Sequence, residues 1–272
     1  MHPYLVILGR EIPTYGICIF LGIAIAALLA KFAPAWKKRD YDYFILISAC
    51  VLGMGFLGAR VAYVLVSYPL ASFFSAFLEL LSAKGGLVFY GGFIGGAIGY
   101  WIGLKIAGRD VSSKDYIDIY AVLIPLIHGF GRIGCFFGGC CHGGKYEGFA
   151  AIPWRWVVDG KAEDVSYFPV QLVEAITLFC LAIFMYQFMK RRHWFGKFTI
   201  RPIVLYMGVY AIDRFALEFL RGDAIRGQVM GVSTSQFISI CMMLLVVVYI
   251  GWWKCFGKKK FTQGDQSEKS YS

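Results

Sequence analysis

Seven apolar segments, each of roughly 20 residues, set the strongest limit on how this chain can fold. They cover residues 15–32, 43–66, 87–106, 116–137, 168–189, 203–220 and 232–253. A helix of this length can cross about 30 Å of hydrocarbon, where the backbone must satisfy its own hydrogen bonds. Only 16% of the residues are charged, whereas soluble proteins have about a quarter. We therefore predict an all-α integral membrane protein with about seven transmembrane helices.

Lysine and arginine cluster on one side of this predicted topology. They follow the first, third, fifth and seventh segments, at positions 31, 37–39, 105, 109, 114, 190–192, 197, 254 and 258–260. Because such residues mark cytoplasmic loops, we expect the N-terminus outside and the C-terminus in the cytoplasm. The net charge of +10 then reflects membrane topology, and it does not indicate nucleic-acid binding.

The remaining stretches complete the expected organisation. Residues 1–256 are predicted to form a single transmembrane domain, and residues 257–272 a polar cytoplasmic tail. Residues 67–86 are apolar but interrupted by proline, charged residues and glycines, which predicts an arm or an interfacial helix on the outer side and no further span. The mixed-charge loop 143–167 is expected on the same side.

Glycines recur every four residues in the third segment, at positions 91, 95, 99 and 103. This spacing predicts a helix face without side chains, against which another helix or a lipid chain can pack closely. Tyr90 stands at the outer end of this face and suits an interfacial anchor.

Charged residues interrupt several of the apolar segments. Arg214, Glu218 and Arg221 are spaced i, i+4, i+7, which predicts one charged helix face. Together with Arg60 and Arg132 they favour an inward-facing site for an anion, since the arginine fork suits phosphate. The alternative is a structural ladder of ion pairs.

Residues 128–143 combine Arg132 with glycines, three cysteines and two histidines. Cys135, Cys140 and Cys141 have three interpretations. They form a disulfide, bind zinc together with His142, or only pack. The other five cysteines lie singly in or beside apolar segments and are expected to behave as small hydrophobic residues.

Several stretches resemble the prolipoprotein diacylglyceryl transferase family, and they occur in that family's order between residues 12 and 253. They are Ile12-Pro-Thr-Tyr15-Gly16, Gly58-Ala-Arg60-Val-Ala-Tyr63, Gly85-Gly-Leu-Val-Phe-Tyr90-Gly-Gly, Gly131-Arg132-Ile-Gly134, Phe168-Pro169-Val-Gln171-Leu-Val-Glu174, Arg214-Phe-x-x-Glu218-x-x-Arg221 and Ser235-Gln236. The chain departs from the family pattern at four positions: Tyr90 replaces His, and Cys135, Gly138 and Cys140 replace Asn, Asn and Glu. It resembles a divergent Gly-Arg-Ile-Gly-Cys branch.

The resemblance implies a multi-pass protein of the bacterial cytoplasmic membrane, acting with membrane lipids around it. It implies transfer of diacylglyceryl from phosphatidylglycerol to the cysteine thiol of a prolipoprotein lipobox peptide, releasing glycerol phosphate. No metal or redox cofactor is implied. Alternatives are a paralogue with another acceptor and a non-enzymatic lipid- or anion-binding protein.

The resemblance also implies roles for individual residues. Arg132 would bind the phosphate beside the backbone of Gly131 and Gly134, with Arg60 and Tyr15 completing the lipid headgroup site. Arg214 and Arg221 would stabilise the leaving phosphate, and Glu218 would position them. Tyr90 or His128 would take the thiol proton.

Overall fold

The computed structural model describes residues 4–7, 9–32, 38–68, 88–108, 111, 113–158, 161–190, 201–221, 228–229 and 231–257. Within these ranges the main elements are α1 (Thr14–Lys31), α2 (Lys38–Ser67), α3 (Phe89–Ala107), α4 (Ser113–Phe137), α5 (Val170–Lys190), α6 (Pro202–Glu218) and α7 (Thr234–Trp252). Each coincides with one predicted segment. Residues 69–86 of the predicted arm and residues 258–272 of the predicted tail lie outside the described residues.

The helices have the length and apolarity of a membrane protein. In the described part of the chain, five are long and apolar enough to cross a bilayer: Thr14–Lys31, Tyr41–Ser67, Tyr116–Phe137, Val170–Gln187 and Thr234–Cys255. Large apolar side chains such as Phe20 and Val247 remain exposed on their surfaces, as lipid contact requires. The chain is a helical, multi-pass membrane protein.

Three short antiparallel sheets lie before and between the helices of the described chain, and the sequence did not predict them. They pair β1 (Tyr4–Ile7) with β2 (Arg10–Pro13), β3 (Ile152–Val158) with β4 (Lys161–Tyr167), and β5 (Gln228–Val229) with β6 (Val232–Ser233). The second pair turns the expected 143–167 loop into a hairpin, with Ile152 opposite Tyr167 and Val158 opposite Lys161. Alternating apolar residues in β3, at positions 152, 154, 156 and 158, match the period of two of a strand.

The described chain forms two compact units, Lys31–Tyr116 and a second unit of Met1–Ala30 with Ile117–Ser272. In the first unit, α2 packs against the glycine face of α3. A Cβ added to Gly103 would lie 2.9 Å from the Ile47 Cα, and one added to Gly95 would overlap the Met54 carbonyl. The glycine face is therefore covered by a neighbouring helix.

The second unit contains α1 and α4 to α7. Gly22 of α1 lies against Phe130, and Gly129 lies against Phe179 of α5, so small residues bring α4 close to both neighbours. Helix α7 begins with a capping box. The Ser233 Oγ accepts from the Gln236 amide at 3.1 Å, and the Gln236 Oε1 accepts from the Ser233 amide at 3.2 Å. This cap fixes the position of Ser235, which lies between the two capping residues in sequence.

Candidate functional site: buried ion pairs between the membrane helices

Arg132 lies in the C-terminal part of α4 and pairs with Glu174 of α5. The Arg132 Nη2 is 3.0 Å from the Glu174 Oε1, and the two side chains are 15% and 0% exposed. A buried charge in an apolar helix requires a partner of this kind. Arg132 also forms a side-chain hydrogen bond with Tyr210 of α6. One guanidinium group therefore joins three helices.

The first turns of α5 carry two polar residues on one face. Gln171 and Glu174 are three positions apart, so they lie side by side on the helix. The Gln171 Nε2 donates to the Cys140 carbonyl at 2.7 Å, just beyond the end of α4. Both side chains are almost completely buried. This face of α5 therefore holds both Arg132 and the loop that follows α4.

A second ion pair lies within α6 and reaches α7. The Arg214 Nη2 is 2.8 Å from the Glu218 Oε2 and donates to the Ser235 Oγ, also at 2.8 Å. The i, i+4 spacing predicted this contact between Arg214 and Glu218. It did not predict the contact with Ser235, which depends on the cap of α7.

Each of the two arginines keeps one buried nitrogen without a hydrogen-bond partner among the described residues. These atoms are the Arg132 Nε and the Arg214 Nη1. A buried N–H group without a partner costs about 1–3 kcal/mol, so such groups are normally bonded. Both nitrogens are positively charged donors, and a phosphate oxygen is the strong acceptor that suits them.

Arg221 does not lie on the helix face that its spacing predicted. Helix α6 ends at Glu218, and the next amides donate three residues back, from Phe219 to Ala216 and from Arg221 to Glu218. This tighter turn frees the Leu220 carbonyl to accept from the Gly144 amide at 2.9 Å, and Arg221 pairs with Gly143 as an antiparallel bridge. The prediction that Arg214, Glu218 and Arg221 share one helix face is therefore wrong for Arg221.

His128 lies one helical turn before Arg132 and contacts two tyrosines of α6. Its Nδ1 is hydrogen-bonded to the Tyr206 hydroxyl at 3.2 Å, and its ring centre is 4.8 Å from that of Tyr210. His128 and Arg132 share one face of α4, while Tyr210 and Arg214 share one face of α6. The two faces meet through Tyr210.

Glycines around Arg132 allow α1 to approach. A Cβ added to Gly134 would be 2.9 Å from the Tyr15 Cδ2 and 3.2 Å from the Tyr15 Cα, and one added to Gly131 would be 3.2 Å from the Ile19 Cδ1. The structure thus places Tyr15, which is half exposed, beside the predicted Gly-Arg-Ile-Gly motif.

The end of α4 brings three cysteines together. Gly139 has a φ of +72°, and the amides of Gly139 and Cys140 donate to the carbonyls of Phe136 and Cys135 at 3.3 and 3.1 Å. This is the Schellman pattern, which turns the chain back over the last helical turn. Cys141 follows with a φ of +62°. The sulfur atoms of Cys135, Cys140 and Cys141 consequently lie within 4.8 Å of one another.

These three cysteines are free thiols, so the structure does not contain the disulfide that was one interpretation of the sequence. Hydrogen bonds from Cys135 and Cys140, with a further one from Arg221, lower the pKa of Cys141. His142 does not belong to the group of sulfur atoms. Its Nδ1 donates to the Gly143 carbonyl at 2.9 Å, and its ring packs 4.1 Å from Tyr167 and 5.0 Å from Trp154. The interpretation that His142 binds zinc together with the three cysteines is therefore wrong for His142.

Two predicted site residues belong to the other compact unit. Arg60 is buried on α2, and Tyr90 lies in the first turn of α3. Of the four arginines that were predicted to share one site, Arg132, Arg214 and Arg221 lie in the same compact unit.

Glu174, Gln171, Tyr210 and Ser235 were not among the predicted site residues. The sequence contained a signal for the first two, because polar residues three apart at the start of an apolar segment usually face the protein interior. Tyr210 carried no comparable signal, since tyrosine is common at membrane interfaces.

The apolar helices and their buried ion pairs define a multi-pass membrane protein with a charged site among its helices. The model of one family, prolipoprotein diacylglyceryl transferase, matches residues 3–252. The chain therefore belongs to this family.

Named relatives agree with this assignment. The chain is 33% identical to the Clostridium perfringens protein named phosphatidylglycerol–prolipoprotein diacylglyceryl transferase 2, over 93% of this chain and 96% of the relative. It is 32% identical to the Clostridium tetani transferase, over 87% of this chain and 91% of the relative. A Clostridium botulinum transferase is 29% identical over 87% of this chain and 90% of its own.

Proposed function

We propose that this protein transfers the diacylglyceryl group of phosphatidylglycerol to the thiol of a prolipoprotein lipobox cysteine, and releases glycerol phosphate. The observation that carries the proposal is that Arg132 and Arg214 each have one buried nitrogen without a hydrogen bond within the described chain. The named relatives act on phosphatidylglycerol, whose phosphate is a suitable acceptor for these donors. The reaction needs such donors, because negative charge grows on the departing phosphate.

The contacts support a division of roles. Arg132 binds the phosphate of the lipid, held in place by Glu174 and flanked in sequence by Gly131 and Gly134. Arg214, positioned by Glu218 and Ser235, and Arg221 stabilise the leaving phosphate. Tyr15 reaches the lipid headgroup.

The remaining roles are further parts of the proposal. His128 takes the proton of the acceptor thiol through its ring nitrogens, since the thiolate is the reactive form. Arg60 and Tyr90 act on the same headgroup. Arg60 and Tyr90 belong to the family motifs quoted above, and His128 lies one helical turn before Arg132.

We further propose seven membrane spans, with the N-terminus outside and the C-terminus in the cytoplasm. Helices α3 and α6 are the two spans beyond the five that meet the length and apolarity criteria. The basic loops then all face the cytoplasm of a bacterial inner membrane, and the end of α4 faces outward, where secreted prolipoproteins arrive.

The test is a transfer assay with the full-length protein in lipid vesicles. A lipobox peptide should gain the mass of diacylglycerol, less water, in vesicles of phosphatidylglycerol. It should gain none in phosphatidylethanolamine vesicles or when serine replaces its cysteine. Arg132→Ala should lower the rate by about 10²–10³-fold, the usual cost of losing a donor to developing charge.

Arg201→Ala is the matched control. Arg201 also pairs with a buried carboxylate, that of Asp118 at 3.8 Å, but it lies at the other end of α6, so transfer should persist. Binding of phosphatidylglycerol without peptide modification by the wild type would instead favour a non-enzymatic lipid-binding protein. Modification of a different acceptor would favour the paralogue.

A further inference from the structure

The three-cysteine group at the end of α4 has the composition of a metal site with one open position. Cys135 is buried, Cys141 is half-buried and Cys140 is exposed, so an ion can reach the group from solvent. The three sulfur atoms lie within 4.8 Å of one another. A tetrahedral zinc site with Zn–S bonds of 2.3 Å requires sulfur separations of about 3.8 Å. Each pair therefore has to close by at most about 1 Å.

The backbone positions the cysteines without help from a metal. The Schellman turn places Cys140 over Cys135, and Gln171 holds the Cys140 carbonyl at 2.7 Å. A site whose ligands are already close loses less conformational entropy on binding than one assembled from distant parts.

The charge around the group also suits three thiolates. One Zn²⁺ with three thiolates carries a net charge of −1. Arg221 donates to the Cys141 sulfur, and Arg132 lies one turn before Cys135 on the same face of α4. These arginines favour the anionic complex, because opposite charges at short range stabilise each other.

No fourth protein ligand belongs to this group in the described part of the chain. His142 is the nearest candidate in sequence, but its ring is packed between Tyr167 and Trp154. Zinc sites with three protein ligands and an open position are those that bind a substrate or water. Arg221, which donates to the Cys141 sulfur, and Arg132, one turn before Cys135, are the residues at which the proposed function places the lipid phosphate, so an ion held by the three cysteines would be close to it.

We propose that Cys135, Cys140 and Cys141 bind one Zn²⁺ ion whose open position takes the thiol of the acceptor cysteine. This role rests on the proposed function. The acceptor thiol gives its proton to His128, the base of the proposed function, when its sulfur binds the ion. The sulfur electron pair then forms the new C–S bond to the glyceryl carbon, and the C–O bond to the phosphate breaks with its electrons left on that oxygen. No oxidation occurs, and the neutral thioether, a weaker ligand than a thiolate, dissociates.

Metal content tests the ion without any activity measurement. The full-length protein, reduced and then dialysed against Zn²⁺, should hold one zinc per chain. Cys140→Ser removes an exposed ligand, so the fold should persist, and the Kd should rise by more than the 10–100-fold that loss of an outer-shell partner costs. Cys180→Ser, a single exposed cysteine of α5, is the matched control and should keep the wild-type Kd. Absence of zinc from the reduced protein, or equal affinity in both variants, would overturn the site.

Cobalt substitution tests the open position. Co²⁺ in the site should show sulfur-to-metal charge-transfer absorption, which should grow by about one third when a lipobox peptide adds a fourth thiolate. The peptide with serine for cysteine should leave the spectrum unchanged. The same spectrum with both peptides would overturn the role in substrate binding.

The transfer assay separates the two proposals. If zinc is absent but phosphatidylglycerol-dependent transfer remains, the metal proposal fails and the proposed function stands. If the peptide thiol binds to cobalt but no diacylglyceryl is transferred, the proposed function fails instead.

Discussion

The two ends of α4 each hold a buried carboxylate against an arginine, but they do so differently. At the C-terminal end, Arg132 and Glu174 are 3.0 Å apart, with side chains 15% and 0% exposed. At the N-terminal end, Asp118 and Arg201 are 3.8 Å apart, and the arginine is 33% exposed. Arg201 can therefore be solvated when it loses its partner, whereas Arg132 cannot.

The ends also differ in how closely other helices approach. Residues 113–128 of α4 contain no glycine, whereas residues 129–138 contain four. Gly129, Gly131 and Gly134 lie against side chains of α5 and α1. The C-terminal end of α4 is thus tightly enclosed and charged. Burying charged groups carries a desolvation cost, which a contact with only a structural role does not require. This contrast supports the proposal that the C-terminal end binds a ligand, whereas the N-terminal end joins helices.

The largest expected effect is that of Glu174→Gln on stability. The change leaves Arg132 buried without its counter-charge, and breaking a buried pair in this way costs about 3–5 kcal/mol. The loss should be measured as a lower Tm in detergent.

Added phosphatidylglycerol should recover part of this Tm loss in Glu174→Gln, because its phosphate replaces the missing carboxylate charge. Phosphatidylcholine, which has no net charge, provides the comparison. Equal recovery with both lipids would show that the recovery does not depend on a net negative headgroup, and that the lipid does not replace the missing carboxylate charge.

Arg132→Lys should have the next largest effect, on transfer rate. Lysine keeps the charge but has one nitrogen, so it cannot contact Glu174, Tyr210 and a phosphate together. A loss of about 10–10²-fold is expected, smaller than that of Arg132→Ala. Equal rates for the lysine and alanine variants would mean that the shape of the guanidinium group, rather than its charge, is the whole contribution.

Much of the fold was predictable from sequence, because a bilayer imposes one length on every span. The Arg214–Glu218 contact was also predictable, since both residues lie on one helix four positions apart. The Arg132–Glu174 pair joins separate helices, so sequence spacing could not reveal it. The departure of Arg221 from α6 depends on pairing with Gly143, another distant contact.

The cysteine group shows the same division between local and distant information. Spacing alone left disulfide, zinc and packing open, because it does not say where the chain turns. The chain turns at Gly139, which has a left-handed conformation, and this turn places Cys140 and Cys141 against Cys135. The β3–β4 hairpin was also not predicted. Only β3 has alternating apolar residues, whereas the charged residues of β4 are typical of a loop.

Gly134→Ala tests the close approach at the C-terminal end of α4. The new Cβ would lie 3.2 Å from the Tyr15 Cα, so α1 must move, at a cost of about 1–3 kcal/mol. Gly53→Ala on α2 is the control, because nothing lies within 4 Å of its added Cβ. Both variants gain the same helix propensity, so the difference between their Tm values measures the contact. A Tm for Gly134→Ala as high as that of the control would show that α1 is free to shift.

The smallest effect is expected for Asp118→Asn at the N-terminal end of α4. The variant removes the carboxylate charge, and the Arg201 guanidinium, one third exposed, turns to water or to lipid phosphate. Partly exposed pairs of this kind contribute about 0–1 kcal/mol. The Tm should fall only slightly, and phosphatidylglycerol should change it no more than it changes the wild type, in contrast to Glu174→Gln. A large Tm loss that phosphatidylglycerol specifically recovers would mean that both ends of α4 bind anionic lipid, and the distinction between a binding end and a structural end would then be wrong.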